Sequence, residues 1–202
     1  MKRIVLASNN SGKVREFGQL LRGCGIDIQP QSVFGVTEVE ETGLSFVENA
    51  IIKARHAASV SGLPAMADDS GIEVDVLAGA PGVYSARYAG PQSSDKANNA
   101  QLLVALKDVP EQRRGARFQC VIVLMRHVDD PMPVICTGTW EGRILFEPSG
   151  ANGFGYDPLF YVPTHGCASA ELPPEVKNQI SHRAQALQAL KRILKCTNED
   201  PS

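Results

Sequence analysis

A short β-branched run, Ile4-Val5-Leu6-Ala7, reads as a buried strand, and Val14, Phe17, Leu20 and Leu21 recur at helical spacing straight after it. The pattern predicts a strand feeding an amphipathic helix that Gly23 to Gly25 stops, with Ile26 to Ile28 a candidate second strand. The clearest helix falls between Thr42 and Gly62. There Val47, Ala50, Ile51, Ala54, Ala57 and Ala58 share one face, Ser45 and Glu48 have capping-box spacing, and Gly62-Leu63-Pro64 ends the pattern. Asn49, Lys53 and His56 lie on the opposite face. A brief strand is expected at Ala65 to Ala67, then a carboxylate-rich turn at Asp68-Asp69-Ser70-Gly71, then a half-exposed strand where Ile72 to Val76 alternate. Gly79-Ala80-Pro81-Gly82 marks another turn, and a helix is expected from about Asp95 to Lys107. Arg117 to Arg126 and Pro133 to Trp140 read as strands joined across Asp129-Asp130-Pro131, with Glu141-Gly142 turning into a third at Arg143 to Phe146. A last helix begins near Ser181 with Ala184, Leu187, Leu190 and Leu194 on its apolar face. Strand and helix alternate early and hairpins follow, which predicts an α/β domain with a mixed sheet.

With 202 residues, 43% of them hydrophobic and 21% charged, the chain suits one domain or two lobes sharing a core. A formal charge of −2 argues against long nucleic acid, whose backbone needs a broad basic face, whereas a small anion needs only local cations. The 5 cysteines are odd in number and scattered without a Cys-x-x-Cys pair, so neither a disulfide framework nor a zinc site is indicated and a reducing cytoplasm is expected. The strongest apolar run, Val121 to Met125, is too short for a bilayer, so no membrane partner is expected.

Candidate chemistry begins with the polar turn Ser8-Asn9-Asn10-Ser11-Gly12-Lys13 between the first strand and helix. First-turn N–H groups lack intrahelical acceptors and carry the positive end of the peptide dipoles, so an anion docks there and Lys13 adds a full charge. It is not a Walker A loop, because only Gly12 precedes the lysine and Val14 stands where a hydroxyl is needed. The competing reading is a turn whose Ser and Asn side chains only cap the helix. Asp68 and Asp69 are adjacent and in extended backbone point to opposite sides, one to hold a hard cation such as Mg²⁺ and the other to orient it, unless both are simply solvated. Glu38, Glu40 and Glu41 form a second acidic cluster. His182 and Arg183 fall in the first turn of the last helix, where cations oppose the dipole, so an anionic or electron-rich partner is expected, with Lys177 shortly before them; the alternative is a neutral His182 and an Arg183 that pairs with an exposed acid. In the glycine-rich stretch Gly150 to Pro158, Phe154 offers a face to a planar ring such as a purine; the alternative is that Phe154 and Tyr156 plug the loop onto the core.

Taken together, Leu6 to Lys13, Glu41-Thr42-Gly43, Phe46 to Lys53, Ala67 to Gly71, Gly82 to Tyr88, Gly153 to Pro158 and Ser181-His182-Arg183 closely resemble the inosine triphosphate pyrophosphatase family, the bacterial dITP/XTP house-cleaning enzymes. The resemblance implies one domain over residues 1–202 with a dispensable tail from about 196. It implies an elongated mixed sheet flanked by helices, with two lobes around a central nucleotide-binding cleft. It further implies Mg²⁺ dependence, a homodimer, and hydrolysis of ITP, dITP or XTP to the monophosphate and pyrophosphate. In that reading Ser8, Asn9, Asn10, Ser11, Gly12 and Lys13 grip the triphosphate with help from Lys53 and Lys177. Asp69 is the base and metal neighbour, with Asp68 beside it, and Glu41 or Glu40 supplies the partner carboxylate. Ser70 touches substrate, Phe154, Gly155, Tyr156 and Asp157 bound the base, and His182 with Arg183 read its edge.

Overall fold

The computed structural model describes residues 2–21 and 23–194; the tail expected to be dispensable lies outside the described residues. Seven strands, β1 (Lys2–Leu6), β2 (Ile26–Pro30), β3 (Ala65–Val74), β4 (Gly115–Met125), β5 (Val134–Ile144), β6 (Phe160–Val162) and β7 (Cys167–Ala168), form one sheet ordered β2-β1-β3-β4-β5-β6-β7. β1 runs parallel to β2 and β3, whereas β6 is antiparallel to β5 and β7, so the sheet is mixed as the element order implies. Among the described residues five α-helices accompany it: α1 (Ser11–Leu20), α2 (Phe46–Ser61), α3 (Asp95–Ala105), α4 (Pro174–Ile180) and α5 (His182–Ile193). None among the described residues is long and apolar enough to cross a membrane.

The chain divides into two compact units, the first from the described parts of Met1–Asp69, Cys120–Gly138 and Arg183–Ser202 and the second from Ser70–Gln119 and Thr139–His182. In the first unit, strand alternation separates two cores. Ile4 and Leu6 of β1, Met66 of β3 and Cys120, Ile122 and Leu124 of β4 pack with Phe17 of α1 and Leu187 and Leu190 of α5. The intervening residues Val5, Ala65, Ala67, Val123 and Met125 pack instead with Ala50, Ala54 and Ala57 of α2. α2 starts at Ser45, whose hydroxyl accepts from Glu48 N–H at 3.4 Å and donates to the Glu48 carboxylate at 2.7 Å, and it ends at Gly62 with φ 67°.

The second unit is built on Ile72, Val74, Leu102, Leu106, Phe118, Trp140, Tyr156 and Phe160. Inside it, Arg114 is only 2% exposed and donates to three carbonyls, Val109 O at 3.0 Å, Leu145 O at 3.0 Å and Leu106 O at 2.7 Å, beyond the end of α3. Its guanidinium carbon also lies 3.9 Å from the Phe146 ring centroid.

Several expectations need correction. Asp68-Asp69-Ser70-Gly71 is not a turn but the middle of the continuous strand β3. Ala65, Met66, Ala67, Ile72 and Val74 are all fully buried on either side, so packing overrides the loop preference of the polar residues between them. Glu141-Gly142 likewise does not turn, and β5 runs straight through it. A Cβ on Gly142 would strike the Tyr161 carbonyl and the Phe160 ring, so that glycine admits the close approach of β6. The short β6 and β7 and the helix α4 carry too few residues for a readable period and were not anticipated. Cys120, Cys136 and Cys167 are free thiols as expected, but Cys24 is disulfide-bonded, which its spacing did not indicate.

Candidate active site

Because β3 is extended through both acids, its two-residue alternation decides what each one meets. Met66 points into the core of α1 and α5, so Asp68 faces those helices; Ala65 and Ala67 point into the core of α2, so Asp69 faces that helix.

On the first side, Lys13 Nζ lies 3.0 Å from Asp68 Oδ1 and 2.9 Å from Oδ2. Arg183 reaches Asp68 Oδ2 through Nε and Nη2, each at 3.3 Å, and Glu16 Oε2 through Nη1 at 3.1 Å. The anion expected to offset the cation at the start of α5 is therefore this pair of carboxylates. Asp68 and Arg183 are 2% and 3% exposed. Burial alone would raise the Asp68 pKa, but Lys13, Arg183 and Lys53 overcome it and hold the carboxyl well below its ordinary range. Burial would likewise lower the Arg183 pKa, yet Asp68 and Glu16 raise it. The expected capping is also present: Asn10 Oδ1 accepts from Lys13 N–H at 3.1 Å, and Ser8 Oγ accepts from Asn10 N–H at 3.1 Å. A Cβ on Gly12 would sit 3.1 Å from Asn10 Oδ1, so glycine there keeps room for the cap.

On the second side, Lys53 Nζ donates to Asp69 Oδ1 at 2.9 Å and to Glu41 Oε1 at 2.8 Å. Burial would lower the Lys53 pKa, but Asp69, Asp68 and Glu41 outweigh it, so the ammonium is held firmly protonated. Burial pushes the Asp69 carboxyl above its ordinary value, with Lys53 pulling against it. Asn49, fully buried in the first turns of α2, accepts Gly43 N–H at 2.8 Å and so ties the segment carrying Glu41 to the helix. Its Nδ2 and the Asp69 Oδ2 are both buried with no partner at full hydrogen-bond distance among the described residues, although the Asn49 side chain is close enough to pull the Asp69 pKa down. Glu40 is exposed, and Glu41 is the acid that shares Lys53 with Asp69.

The second unit holds the aromatic candidates. Asp157, 2% exposed, accepts Phe154 N–H at 2.8 Å and Ser169 Oγ–H at 2.9 Å and is ion-paired with Lys177. Lys177 Nζ also stands 5.3 Å from the centroid of the Phe154 ring, which is 52% exposed. Tyr156 is buried and donates its hydroxyl to Ser85 O at 2.8 Å, so it anchors the loop as the alternative reading had it, while Phe154 does not. His182 is buried with its ring stacked on Phe118, centroids 4.8 Å apart at 11°. Ser70 follows Asp69 in β3 and is partly buried.

Sequence reasoning singled out Lys13, Asp68, Arg183, Lys53, Glu41 and Asp69 but did not pair Lys13 or Arg183 with Asp68; the structure brings these three together on one side of β3 and Lys53, Glu41 and Asp69 on the other. It did not name Glu16 or Ser169, and it placed Asn49 on the face of Lys53 without a role. Glu16 sits one turn after Lys13 on the same helical face, a spacing that was available as a signal.

The chain matches the Ham1 family model over residues 4–193. It is 62% identical over 190 residues to the dITP/XTP pyrophosphatase of Vibrio cholerae serotype O1, covering 94% of this chain and 95% of that one. It is 58% identical to the dITP/XTP pyrophosphatase of Escherichia coli O157:H7, again over 94% of this chain and covering 96% of the relative. A solved HAM1 protein from Coxiella burnetii superposes with a TM-score of 0.93 at 54% identity, covering 96% of this chain and 99% of that one. With sequence match and fold both spanning nearly its whole length, the chain belongs to the Ham1 family.

Proposed function

We propose that this chain hydrolyses dITP, XTP and ITP to the nucleoside monophosphate and pyrophosphate, keeping deaminated purines out of nucleic acid. The observation that carries this reading is the gathering of Lys13, Lys53 and Arg183 around two adjacent acids on opposite faces of one strand. Its relatives are dITP/XTP pyrophosphatases over almost all of their length. Lys13 and the N-terminus of α1 receive phosphate oxygens, and Lys53 keeps its charge beside Asp69. Asp69 accepts the proton of the water that attacks the α-phosphorus, and pyrophosphate leaves on the opposite side.

The residues suit a hard divalent cation such as Mg²⁺, with Asp69 and Glu41 as its carboxylates. Asp69 Oδ2 is buried with no partner at full hydrogen-bond distance among the described residues, and two carboxylates face the single ammonium of Lys53, leaving local negative charge to be offset. A hard cation of this kind takes its remaining ligands from water and substrate phosphate. When bound, such an ion supplies charge neutralisation on the phosphates and a more acidic water.

The purine is assigned to Phe154 through Asp157, with Lys177 nearby and His182 and Arg183 as donors to its edge. Hypoxanthine and xanthine carry a 6-oxo acceptor where adenine has a donor, so a donor aimed there leaves adenine with an unpaired clash. A second reading of Arg183 is favoured by its two carboxylate partners: it orders Asp68 and thereby Lys13. Arg183→Ala separates these, since a base-reading role lowers the ITP-over-GTP preference, whereas an ordering role lowers turnover of both and leaves their ratio unchanged.

The test is Asp69→Asn assayed with Mg²⁺ against a panel of ribo- and deoxynucleoside triphosphates, following pyrophosphate. Nucleotide binding should persist while turnover falls by about 10²–10⁴-fold. Full activity in that variant, or release of orthophosphate by the wild type, rejects the proposal. The chain is further proposed to act in the cytoplasm as a homodimer of one 1–202 domain.

A further inference from the structure

The loop carrying Phe154 has little stiffness of its own, because Gly150, Gly153 and Gly155 take positive φ values of 81°, 78° and 60°. Yet a ring that stacks on a base has to be aimed before the base arrives, or the cost of ordering the loop is charged to binding. Asp157 fixes one end of the segment through Phe154 N–H. The other constraint comes from α3, outside every motif named above. Asp95 Oδ2 accepts Gly155 N–H at 2.6 Å, and Asn99 Nδ2 donates to Gly155 O at 2.8 Å.

These two bonds grip the peptide groups on both sides of one residue. The N–H belongs to the Phe154–Gly155 peptide, whose plane sets the direction in which the Phe154 ring leaves the loop. The carbonyl belongs to the Gly155–Tyr156 peptide, which leads to the buried Tyr156 and its bond to Ser85 O. With both peptide planes held, φ and ψ of Gly155 are restrained by these hydrogen bonds rather than by packing, since a Cβ there would meet nothing within 4 Å. Asp95 and Asn99 are four apart, so they rise from one face of α3, and Asn99 Nδ2 also bonds Asp95 O at 2.9 Å. Ser94 caps the helix through Ala97 N–H at 3.2 Å, which fixes where that face begins.

Asn99 is a costly residue to keep for packing alone. It is 8% exposed and its Oδ1 is buried without a hydrogen-bond partner among the described residues, a penalty that leucine at the same position would avoid. Its amide hydrogens serve Asp95 O and Gly155 O, and only the second bond reaches beyond the helix.

We propose that Asp95 and Asn99 are positioning residues that clamp Gly155 and thereby aim Phe154, so that α3 sets how tightly the enzyme holds the purine. This inference rests on the reading of Phe154 as the base-stacking ring. The bonds of both residues go to Gly155 and to α3 itself, so the clamp is expected to act on recognition of the base and to leave phosphate chemistry alone. Asp95→Asn keeps an acceptor oxygen for Gly155 N–H, whereas Asp95→Ala removes it.

The experiment compares Asn99→Leu, Asp95→Ala, Asp95→Asn and Phe154→Ala with the wild type. KM and kcat are measured for ITP and dITP, with the inhibition constant of inorganic tripolyphosphate, which has no base. The clamp predicts KM raised about three- to tenfold in Asn99→Leu and Asp95→Ala, kcat within about twofold, an unchanged tripolyphosphate constant and substantial recovery in Asp95→Asn. Equal losses for nucleotide and tripolyphosphate, or kcat falling with KM fixed, overturn it. If Phe154→Ala leaves KM for ITP unchanged, the base-stacking reading itself fails. If Phe154→Ala raises KM while the α3 variants do not, that reading stands and the clamp falls. Amide hydrogen exchange of the wild-type protein gives a check that no misfolded variant can spoil: the Gly155 N–H should be protected, and exchange at the rate of an open loop refutes the clamp.

Discussion

Arg114 illustrates how much a single residue contributes when charge is spent on backbone rather than on an acid. Its three carbonyl acceptors lie in separate segments, at Leu106, Val109 and Leu145, so one planar fork joins the end of α3 to the chain beyond β5. Burial lowers its pKa without bringing the guanidinium near deprotonation. Arg114→Met fills similar volume but strands the carbonyls, and should cost about 2–4 kcal/mol in denaturant unfolding while leaving kcat/KM per folded molecule unchanged. A stability loss below about 0.5 kcal/mol would show that water replaces the guanidinium without penalty. Nothing in the sequence distinguishes Arg114 from Arg113 beside it, since burial of an arginine is settled only by which segments close around it.

Elements with a strong period were legible, and those decided by pairing were not. α2 shows an apolar stripe, a Ser45 cap and a Gly62 stop, and its observed limits follow from them. β3 broke the rule that four polar or small residues in a row make a turn, because burial of Ile72 and Val74 beyond them carries the strand onward. The two acids were nevertheless correctly expected to point to opposite sides, whereas the cations that meet each of them come from distant segments and were not legible. Asp95 and Asn99 were legible only as members of the helix expected from about Asp95 to Lys107, since their partner Gly155 lies 60 and 56 residues away. The connection between β4 and β5 is set by Asp130, whose carboxylate accepts from Arg126 Nε at 2.9 Å, Arg126 N–H at 2.9 Å and Met132 N–H at 3.1 Å. The Arg126 side chain and these backbone donors hold its pKa well below the ordinary value. A depressed folded-state pKa stabilises fully above the unfolded value of about 3.9 and is lost as pH falls through the folded value. The wild type should therefore be more stable than Asp130→Asn at pH 7, with a gap constant to about pH 5 that shrinks below about pH 4. A gap that does not change with pH removes the ionised carboxylate as its source.

At the scale of the molecule, the polar investment is divided by chemistry. The first unit buries cations against carboxylates, Lys13 and Arg183 with Asp68 and Lys53 with Asp69, whereas the second sets one such pair, Asp157 with Lys177, beside an aromatic group of Phe118, Trp140, Phe160 and His182. Buried ion pairs recover little net stability after desolvation, so the apolar cores of α1, α2 and α5 must supply the stability that holds these charges in place. The sequence charge of −2 also fits a protein whose cations are local rather than spread over a basic face. The proposed homodimer predicts a sedimentation mass of twice the 21.7 kDa chain at micromolar concentration. A single species at the chain mass, fully active, would reject it.

The alternation of β3 turns its two acids and their partners into a reading frame. One inserted residue between Ala67 and Asp68 would hand Asp68 to Lys53 and place the newcomer before Lys13 and Arg183, while Asp69 would move on to the place of Ser70. Substitutions elsewhere in the strand leave both acids with their own partners, but a change of length here misassigns them at once. For this stretch, then, the number of residues is as much a determinant of the pairing as the two acids themselves.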